Sequence, residues 1–280
     1  MRKTTLALAM ALLIALAVPV LAGTETQNFS TNPSDWEARS VTGTSYSDTT
    51  GWSNTNTAGA AAGEGQAKFH RLNSTGDGLN ENVAWYADRN LGGTLDVSTQ
   101  ALTASGQLCV TDFASYPDLG NGVWLGWFRP GGGCRMGIML NDNGGAGLGW
   151  YAGIYNNYGQ LIAQQFMGSV AANLKYSFYM EFDNNEGAYG QGRLVARMTP
   201  EGYSMEQSVI HLTSKLSNYE FSAFGLSRPN PSPYAPWEYK AIDMRIDDLA
   251  YTSNLPEPGT LAALASGLLG MIGLGIRRRK

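Results

Sequence analysis

The sequence predicts an all-β protein whose body is a sandwich of two antiparallel sheets. Apolar and polar residues alternate with a period of two in several segments, glycine and asparagine separate those segments, and no body segment keeps an apolar period of 3.6 residues. Glycine contributes 35 of the 280 residues, and only 15% are charged. This composition is typical of short strands joined by tight turns.

The first 22 residues differ from the body and predict a secretory signal peptide. Arg2 and Lys3 precede an almost unbroken apolar run from Leu6 to Val18, and the small residue Ala22 follows that run. Positive charge, apolar run and small-residue cleavage site occur in the order that such signals require, which a buried N-terminal helix would not need. We therefore expect signal peptidase to cleave after Ala22.

The clearest strand signal lies in the segment "LKYSFYMEFDNN". Its large apolar residues fall on one face and its polar residues on the other, as in a half-buried strand. The apolar face comprises Tyr176, Phe178, Met180 and Phe182, and the polar face comprises Lys175, Ser177, Glu181 and Asp183. The segment "RLVARM" and a further one around Met205 to Leu212 follow after turn residues, which predicts a three-stranded meander.

Other segments predict strands of different kinds. "NGVWLGWFRP", "CRMGIMLND", "LGWYAGIYNN" and "QLIAQQF" are apolar on both faces, as in strands that are covered on both sides. In "YKAIDMRIDDLAYTS" the alternation slips by one residue at Asp247 and Asp248, which predicts a β-bulge. Residues 42–66 are rich in Thr, Ser, Gly and Ala, and residues 229–236 hold four prolines, so we expect two irregular loops.

Residues 23–253 are long enough for one domain with a single core. Several phrases of this body resemble the concanavalin A-like, or laminin G-like, jelly rolls: "WYADRNLGGTLDVS", "YSFYMEFDNNEG" with "GQGRLVARM", and the closing "IDDLAY". The resemblance implies the same two-sheet sandwich.

The C-terminal segment, residues 254–280, has three parts in a fixed order. Pro256, Glu257 and Pro258 precede an apolar run over residues 259–276, and the basic tail Arg277, Arg278, Arg279 and Lys280 ends the chain. At 1.5 Å per residue, a helix over the apolar run would measure about 27 Å, slightly less than the hydrocarbon core of a bilayer. The basic tail would stay on the cytoplasmic side, which leaves the body outside the inner membrane.

This arrangement resembles the PEP-CTERM sorting signal. The resemblance implies transient insertion into the inner membrane, recognition by an exosortase that cleaves near residues 256–258, and a final place at the cell surface or in the extracellular matrix of a Gram-negative bacterium. The alternative is an ordinary single-span anchor, since a helix over residues 259–276 would insert in either case.

Charge excludes one class of partner. Six of the 19 Lys and Arg residues and Glu257 lie in the two terminal segments, so the remaining 13 basic residues face 22 acidic residues and give the rest of the chain a charge of about −9. Nucleic acids bind clustered cations, so we expect no nucleic-acid partner.

Two cysteines lie in the body, where an exported protein meets an oxidising environment. A disulfide between Cys109 and Cys134 would close a loop of about 25 residues and stabilise the fold by roughly 3.5 kcal/mol on the chain-entropy model. The alternative is two separate buried thiols.

One acidic constellation could support catalysis. Glu181, Asp183 and Glu186 have the spacing Glu-x-Asp-x-x-Glu, which is similar to that of the laminarinase-like jelly-roll glycoside hydrolases. Membership would imply a nucleophile, a helper aspartate and an acid/base that point together into a sugar groove. Asn184 and Asn185 depart from that pattern because its intervening residues are apolar, so a solvated strand face is the alternative that we favour.

Calcium is the one cofactor with any support. Asp142, Asp183, Asp247 and Asp248 offer hard oxygen ligands in predicted loops or bulges, although ordinary turn chemistry explains Asp and Asn beside glycine equally well. Tryptophans such as Trp36, Trp52, Trp85 and Trp237 could stack on sugars, but tryptophan in a sandwich usually belongs to the core.

We therefore expect an exported, exosortase-sorted protein of the cell surface or matrix that is not an enzyme and that serves in adhesion or weak glycan binding. Extracellular polysaccharide is then the candidate partner. The alternatives are a secreted polysaccharide hydrolase that uses Glu181, Asp183 and Glu186, and a purely structural matrix component.

Overall fold

A computed structural model describes residues 23–40, 48–59, 62–70, 82–98, 100–113, 122–143, 147–229 and 241–254. Their regular structure is β throughout, and within these ranges no helix is long and apolar enough to span a membrane. The predicted signal peptide and the predicted helix over residues 259–276 lie outside the described residues.

The described residues form seventeen strands. In chain order they are β1 (Gly23–Gln27), β2 (Trp36–Arg39), β3 (Thr49–Ser53), β4 (Glu64–His70), β5 (Asn82–Asp88), β6 (Leu95–Asp96), β7 (Leu102–Phe113), β8 (Val123–Phe128), β9 (Arg135–Asp142), β10 (Leu148–Tyr155), β11 (Leu161–Ser169), β12 (Lys175–Asp183), β13 (Arg193–Pro200), β14 (Glu206–His211), β15 (Glu220–Phe221), β16 (Ala223–Pro229) and β17 (Ala241–Ser253).

The strands build two large antiparallel sheets, which confirms the predicted sandwich. The first sheet has the order β14-β13-β12-β7-β17-β4-β3, with β1 paired to the second half of β17. The second sheet has the order β11-β10-β9-β8-β16-β5-β2, and β6 and β15 form a small separate pair. The inner faces of the two large sheets enclose one hydrophobic core.

Strand β12 shows how the alternation in the sequence produces this core. Its apolar face points inward and is buried, and Trp150 of the second sheet packs edge-on against Tyr176 with ring centroids 5.5 Å apart. Burying one such aromatic side chain contributes about 1.5–3 kcal/mol. The predicted meander is confirmed as β12-β13-β14.

The predicted bulge is also confirmed. The register between β17 and β7 shifts between Asp247 and Ala250, and Asp248 has a φ of 48°. The extra residues let Ile246 and Leu249 both reach the core, which strict alternation would not allow.

Strands β8, β9 and β10 are covered on both sides, as predicted. A row of glycines in register, Gly225, Gly126, Gly137 and Gly153, crosses four strands of the second sheet. A Cβ atom on Gly153 would lie 2.7 Å from the Trp124 ring, so the glycine makes room for that ring on the outer face.

Two predictions about individual segments were wrong. Strand β11 is the edge strand of the second sheet and most of its residues are exposed, because it lies beyond β10 with no described strand on its other side. Residues 42–66 contain β3 and the start of β4, so this segment is in part regular structure of the first sheet. Of residues 229–236, only Pro229, which ends β16, lies within the described ranges.

Candidate functional site

The outer face of the first sheet carries most of its polar side chains. Because β12 buries its apolar residues, its alternate residues point to solvent, beside the outward residues of β7 and β13. A short loop of residues 55–59 lies over the part of this face that holds Lys175 and Asp247. We call the part around Tyr179 the open half.

A buried glutamate fixes that loop. The carboxylate of Glu64 is fully buried and accepts hydrogen bonds from the backbone N–H groups of Thr57 (2.7 Å) and Ala58 (2.9 Å) and from the Thr55 hydroxyl. It also pairs with Nη1 of Arg245 at 3.0 Å.

Two further contacts complete this arrangement, which we call the latch. The other side of the Arg245 guanidinium contacts both carboxylate oxygens of Asp243, at 2.8 and 3.0 Å. Lys175 on β12 donates from Nζ to the carbonyl oxygen of Gly59 at 2.6 Å. The latch comprises Glu64, Arg245, Asp243 and Lys175. Loop 55–59 is thereby held on β17 and β12 at the border of the open half.

A buried carboxyl lies beneath the latched loop. Asp247 is fully buried, its Oδ1 accepts the backbone N–H of Asp248, and a Cβ atom on Gly59 would lie 1.7 Å from its Oδ2. Burial raises the pKa of Asp247 to about 6, although the hydrogen bond from Asp248 acts in the opposite direction.

The predicted disulfide between Cys109 and Cys134 is not formed, and both residues are buried thiols. Leu108 and Val110 point into the core, so Cys109 between them points to the outer face, whereas Cys134 belongs to the core between the sheets. Alternation along β7 therefore places the first sheet between the two sulfur atoms. Burial raises the pKa of Cys109 to about 11 and that of Cys134 to about 12.

The open half of the outer face is centred on Tyr179. Gln207, Arg197, Tyr179 and Ser105 stand opposite one another on β14, β13, β12 and β7 and form one row across four strands. At about 4.8 Å between strands, this row is roughly 14 Å long. Ser177 and Gln107 form the next row. We call these six residues the tyrosine face.

Side-chain contacts order the tyrosine face. The Arg197 guanidinium lies 5.4 Å from the centroid of the Tyr179 ring, and its Nε donates to Oε1 of Gln207 at 3.0 Å. The Tyr179 hydroxyl donates to Oε2 of Glu181 at 2.8 Å. Burial, and then the hydrogen bond to Glu181, raise the pKa of Tyr179. The row thus presents an exposed cation and an exposed amide beside a half-buried aromatic ring.

Two of the three predicted catalytic carboxylates meet at one arginine. Nη2 of Arg193 lies 3.2 Å from Oε1 of Glu181 and also contacts Oε2 of Glu186. Glu181 lies on β12, whereas Glu186 lies in the turn that follows and is half exposed. Both carboxylates therefore accept from the same cation.

The third predicted residue, Asp183, has a different role. Its Oδ1 accepts the backbone N–H of Asn185 at 2.7 Å, as a turn-forming aspartate does. The buried Asn184 fixes the same turn, because its side chain accepts from the N–H of Leu216 and donates to the carbonyl of Leu216, both at 2.9 Å. The Asn-Asn pair that departs from the hydrolase pattern thus builds a turn.

The four aspartates proposed as calcium ligands do not form one site. Asp142 ends β9 in the second sheet, whereas Asp183, Asp247 and Asp248 lie on the first. Asp247 stands opposite Gln107, which in turn stands opposite Ser177. The six-residue offset to Asp183 corresponds to about 20 Å along β12. Among the described side chains no group of three or more His, Cys, Asp or Glu could hold a metal ion.

The tryptophans weighed for sugar stacking lie away from the tyrosine face. Trp36 belongs to the core, Trp52 is partly buried and donates to the carbonyl of Phe29, and Trp85 is buried on the outer side of the second sheet. Trp237 lies outside the described residues.

A concave surface lies between β11 of the second sheet and β12 to β14 of the first. A cleft of about 510 Å³ is lined by residues from β11, β12 and the β13–β14 turn, including Tyr176, Tyr203, Met205 and Glu206. Burial raises the pKa of Glu206.

The sequence prediction missed Tyr179, Arg197 and Gln207 as a unit. Alternation along β12 could have placed Tyr179 on the polar face, because it lies between Ser177 and Glu181. The row across four strands depends on strand pairing, which that pattern does not specify.

The first and last described residues, Gly23 and Asn254, are both held by contacts to the sandwich. Gly23, the first described residue, stands opposite Ser253 on the central strand β17. The backbone N–H of Asn254 then donates to the carbonyl of Leu91 at 2.7 Å, and its side-chain amide donates to Thr94 at 2.8 Å. The two predicted processing segments therefore adjoin the same point of the sandwich.

Comparison with protein families gives one match, in which residues 254–280 match the PEP-CTERM protein-sorting motif. This motif indicates exosortase-dependent export to a surface or extracellular location. No curated protein matches the chain.

Solved structures give several low-identity matches. An alginate lyase from Aplysia kurodai has a TM-score of 0.44 at 11% identity, and the alignment covers 73% of this chain and 87% of the lyase chain. A seed lectin from Lotus tetragonolobus has a TM-score of 0.45 at 13% identity, with coverages of 85% and 100%. A protein of unknown function from Shewanella oneidensis has a TM-score of 0.47 at 10% identity, with coverages of 87% and 92%. Similarity at this level carries no information about activity.

Proposed function

We propose that this chain, with its PEP-CTERM sorting segment, is a surface or matrix protein of a Gram-negative bacterium that binds glycans without cleaving them. Signal peptidase removes residues 1–22, the segment 254–280 holds the body at the inner membrane, and an exosortase then cleaves near residues 256–258. The tyrosine face is the proposed glycan-binding surface. Calcium has no part in this proposal.

The row of Gln207, Arg197, Tyr179 and Ser105 is the observation that carries the binding proposal. Sugars present many hydroxyl groups, which amide, guanidinium and hydroxyl side chains can match with hydrogen bonds. Arg197 and Gln207 are exposed and Tyr179 and Ser105 are half-buried, so an extended oligosaccharide can contact the row along its length. The latched loop 55–59 lies beside Asp247, which stands opposite Gln107 of the next row, so it would limit where a bound oligosaccharide can lie.

The contacts of the carboxylates favour binding over hydrolysis. Retaining hydrolysis needs one carboxylic acid that donates a proton and one carboxylate that acts as nucleophile. Glu181 and Glu186 instead both accept from Arg193, and Asp183 accepts the backbone N–H of Asn185 in the turn. The hydrolase alternative therefore requires Arg193 to release at least one of the two glutamates.

A glycan array tests the binding proposal. We expect the full chain to bind a subset of glycans, and we expect Tyr179→Ala to weaken that binding at least about tenfold, equivalent to 1.4 kcal/mol. Tyr158→Ala is the matched control, because Tyr158 is 81% exposed and lies in the β10–β11 turn of the other sheet.

Other outcomes of the array separate the alternatives. Loss of binding in Tyr203→Ala, together with unchanged binding in Tyr179→Ala, would place the glycan-binding site in the cleft. Absence of binding to every glycan of the array would favour a purely structural matrix role. Release of new reducing ends from a bound polysaccharide, abolished by Glu181→Gln, would establish the hydrolase instead.

A further inference from the structure

The second sheet ends in an unusually open edge strand. The large apolar residues Leu161, Ile162 and Phe166 of β11 are 47%, 44% and 43% exposed. Among the described strands, β10 is the hydrogen-bonded neighbour of β11, so one row of its backbone groups faces outward. Soluble proteins usually protect such edges with charged residues or proline, and β11 contains neither.

Charge distinguishes this edge from the rest of the molecule. Residues 143–174 contain no Asp, Glu, Lys or Arg, although 15% of the chain is charged. The edge strands β2 and β14, by contrast, carry Glu37, Arg39 and Glu206. Two copies of so acidic a protein repel one another at most orientations, and they can approach edge to edge at β11 without bringing like charges together.

The side chains of β11 are also complementary to themselves. Phe166 lies on the outer side of the sheet, with its ring centroid 5.4 Å from that of Tyr151. Bulges set Ile162 and Met167 out of register with β10, which leaves residues 163–166 as the regular segment between them. An antiparallel pairing centred on Gln164 brings Ile162 of one copy opposite Phe166 of the other, and Gln164 opposite itself.

We propose that β11 pairs with β11 of a second copy of this chain, antiparallel about a twofold axis at Gln164. The backbone bonds of residues 163–165, the part of the regular segment that is symmetric about Gln164, and two side-chain contacts between Ile162 and Phe166 hold the pair. The bulges keep the contact short, and Gly168 lies against Glu206 of β14, so pairing is confined to the first part of the strand. Such a contact suits a protein that is concentrated at a cell surface.

Cysteine cross-linking tests this pairing. In the full chain, Gln164→Cys places two thiols opposite each other at the axis, and mild oxidation should yield a reducible covalent dimer. The native Cys109 and Cys134 are buried with raised pKa values, so they should not contribute. Thr213→Cys, at an exposed position outside β11, is the control for random collision. We expect Gln164→Cys to cross-link at least about tenfold faster than this control.

A second substitution separates pairing from chance contact. Ile162→Lys in the Gln164→Cys background places a cation on each side of the axis at an exposed position, so the fold should persist while the cross-linking rate falls to that of Thr213→Cys. Equal rates for Gln164→Cys and Thr213→Cys would overturn the proposal. So would an undiminished rate in the double variant with an unchanged melting temperature.

Discussion

Replacement of Glu64 by alanine tests the latch that holds loop 55–59. Glu64 is fully buried and serves four donors: the N–H groups of Thr57 and Ala58, the Thr55 hydroxyl and the Arg245 guanidinium. Removing one partner of a buried ion pair costs about 3–5 kcal/mol, because the other charge stays buried. Asp243 still neutralises Arg245 in the variant, so we expect a loss near the lower end, about 3 kcal/mol.

Urea denaturation measures this loss as a change in the free energy of unfolding. Glu64→Gln keeps an acceptor oxygen for the loop and should lose about half as much. Glu220→Ala, at an exposed position on β15, is the control and should change the free energy by less than about 0.5 kcal/mol.

Thiol labelling gives a second and more local readout. Cys109 stands between Lys175 and Arg245 in register and is fully buried although it points away from the core, so the residues of the latch also cover its thiol. Glu64→Ala should therefore increase the labelling rate of Cys109 under native conditions, while Cys134 stays protected in the core. A loss below about 1 kcal/mol together with unchanged labelling of Cys109 would refute the latch.

Three further predictions follow from other sites. Burial raises the pKa of Asp247 to about 6, above the value near 3.9 of an unfolded chain. The protonated carboxyl therefore leaves the free energy of unfolding at its full value below about pH 4, and burial of the charged form lowers that free energy as the pH rises through 6. Asp247→Asn should therefore raise the free energy of unfolding at pH 8 by roughly 2–3 kcal/mol and leave it nearly unchanged at pH 4, and equal effects at both pH values would contradict this account. Asn184→Ala leaves the N–H and carbonyl of Leu216 without their side-chain partner and should cost about 2–4 kcal/mol in thermal or urea unfolding, whereas the exposed Asn185→Ala should cost under about 1. Alanine in place of residues 256–258 should leave the uncleaved protein in the inner-membrane fraction, and normal maturation of that variant would disprove exosortase processing.

The sequence predicts those parts of the fold that depend on local alternation. The inward face of β12 and the bulge at Asp247 follow directly from a period of two and its one slip. The prediction for strand β11 was wrong because an apolar run looks the same in the sequence whether its strand lies in the middle of a sheet or at its edge. Its position depends on the order of the strands in the sheet.

The candidate site shows the same limit. The disulfide prediction failed although alternation between Leu108 and Val110 already turns Cys109 away from the core, because the sequence does not show which side of the sheet Cys134 occupies. The pairing of Glu64 with Arg245 joins residues that are far apart in the chain, so no local pattern indicates it. The tyrosine face likewise arises from four strands whose register is fixed only in three dimensions.

The claim that the tyrosine face binds glycan is tested most directly by calorimetric titration of the full chain with the extracellular polysaccharide of the producing cells. We expect saturable heat for the wild type, and an affinity at least about tenfold lower for Arg197→Ala, because this substitution removes the exposed cation of the row. Arg89→Ala, which removes an exposed arginine beside the second sheet, should bind like the wild type. Absence of saturable heat, or equal affinity of the wild type and Arg197→Ala, would contradict the account.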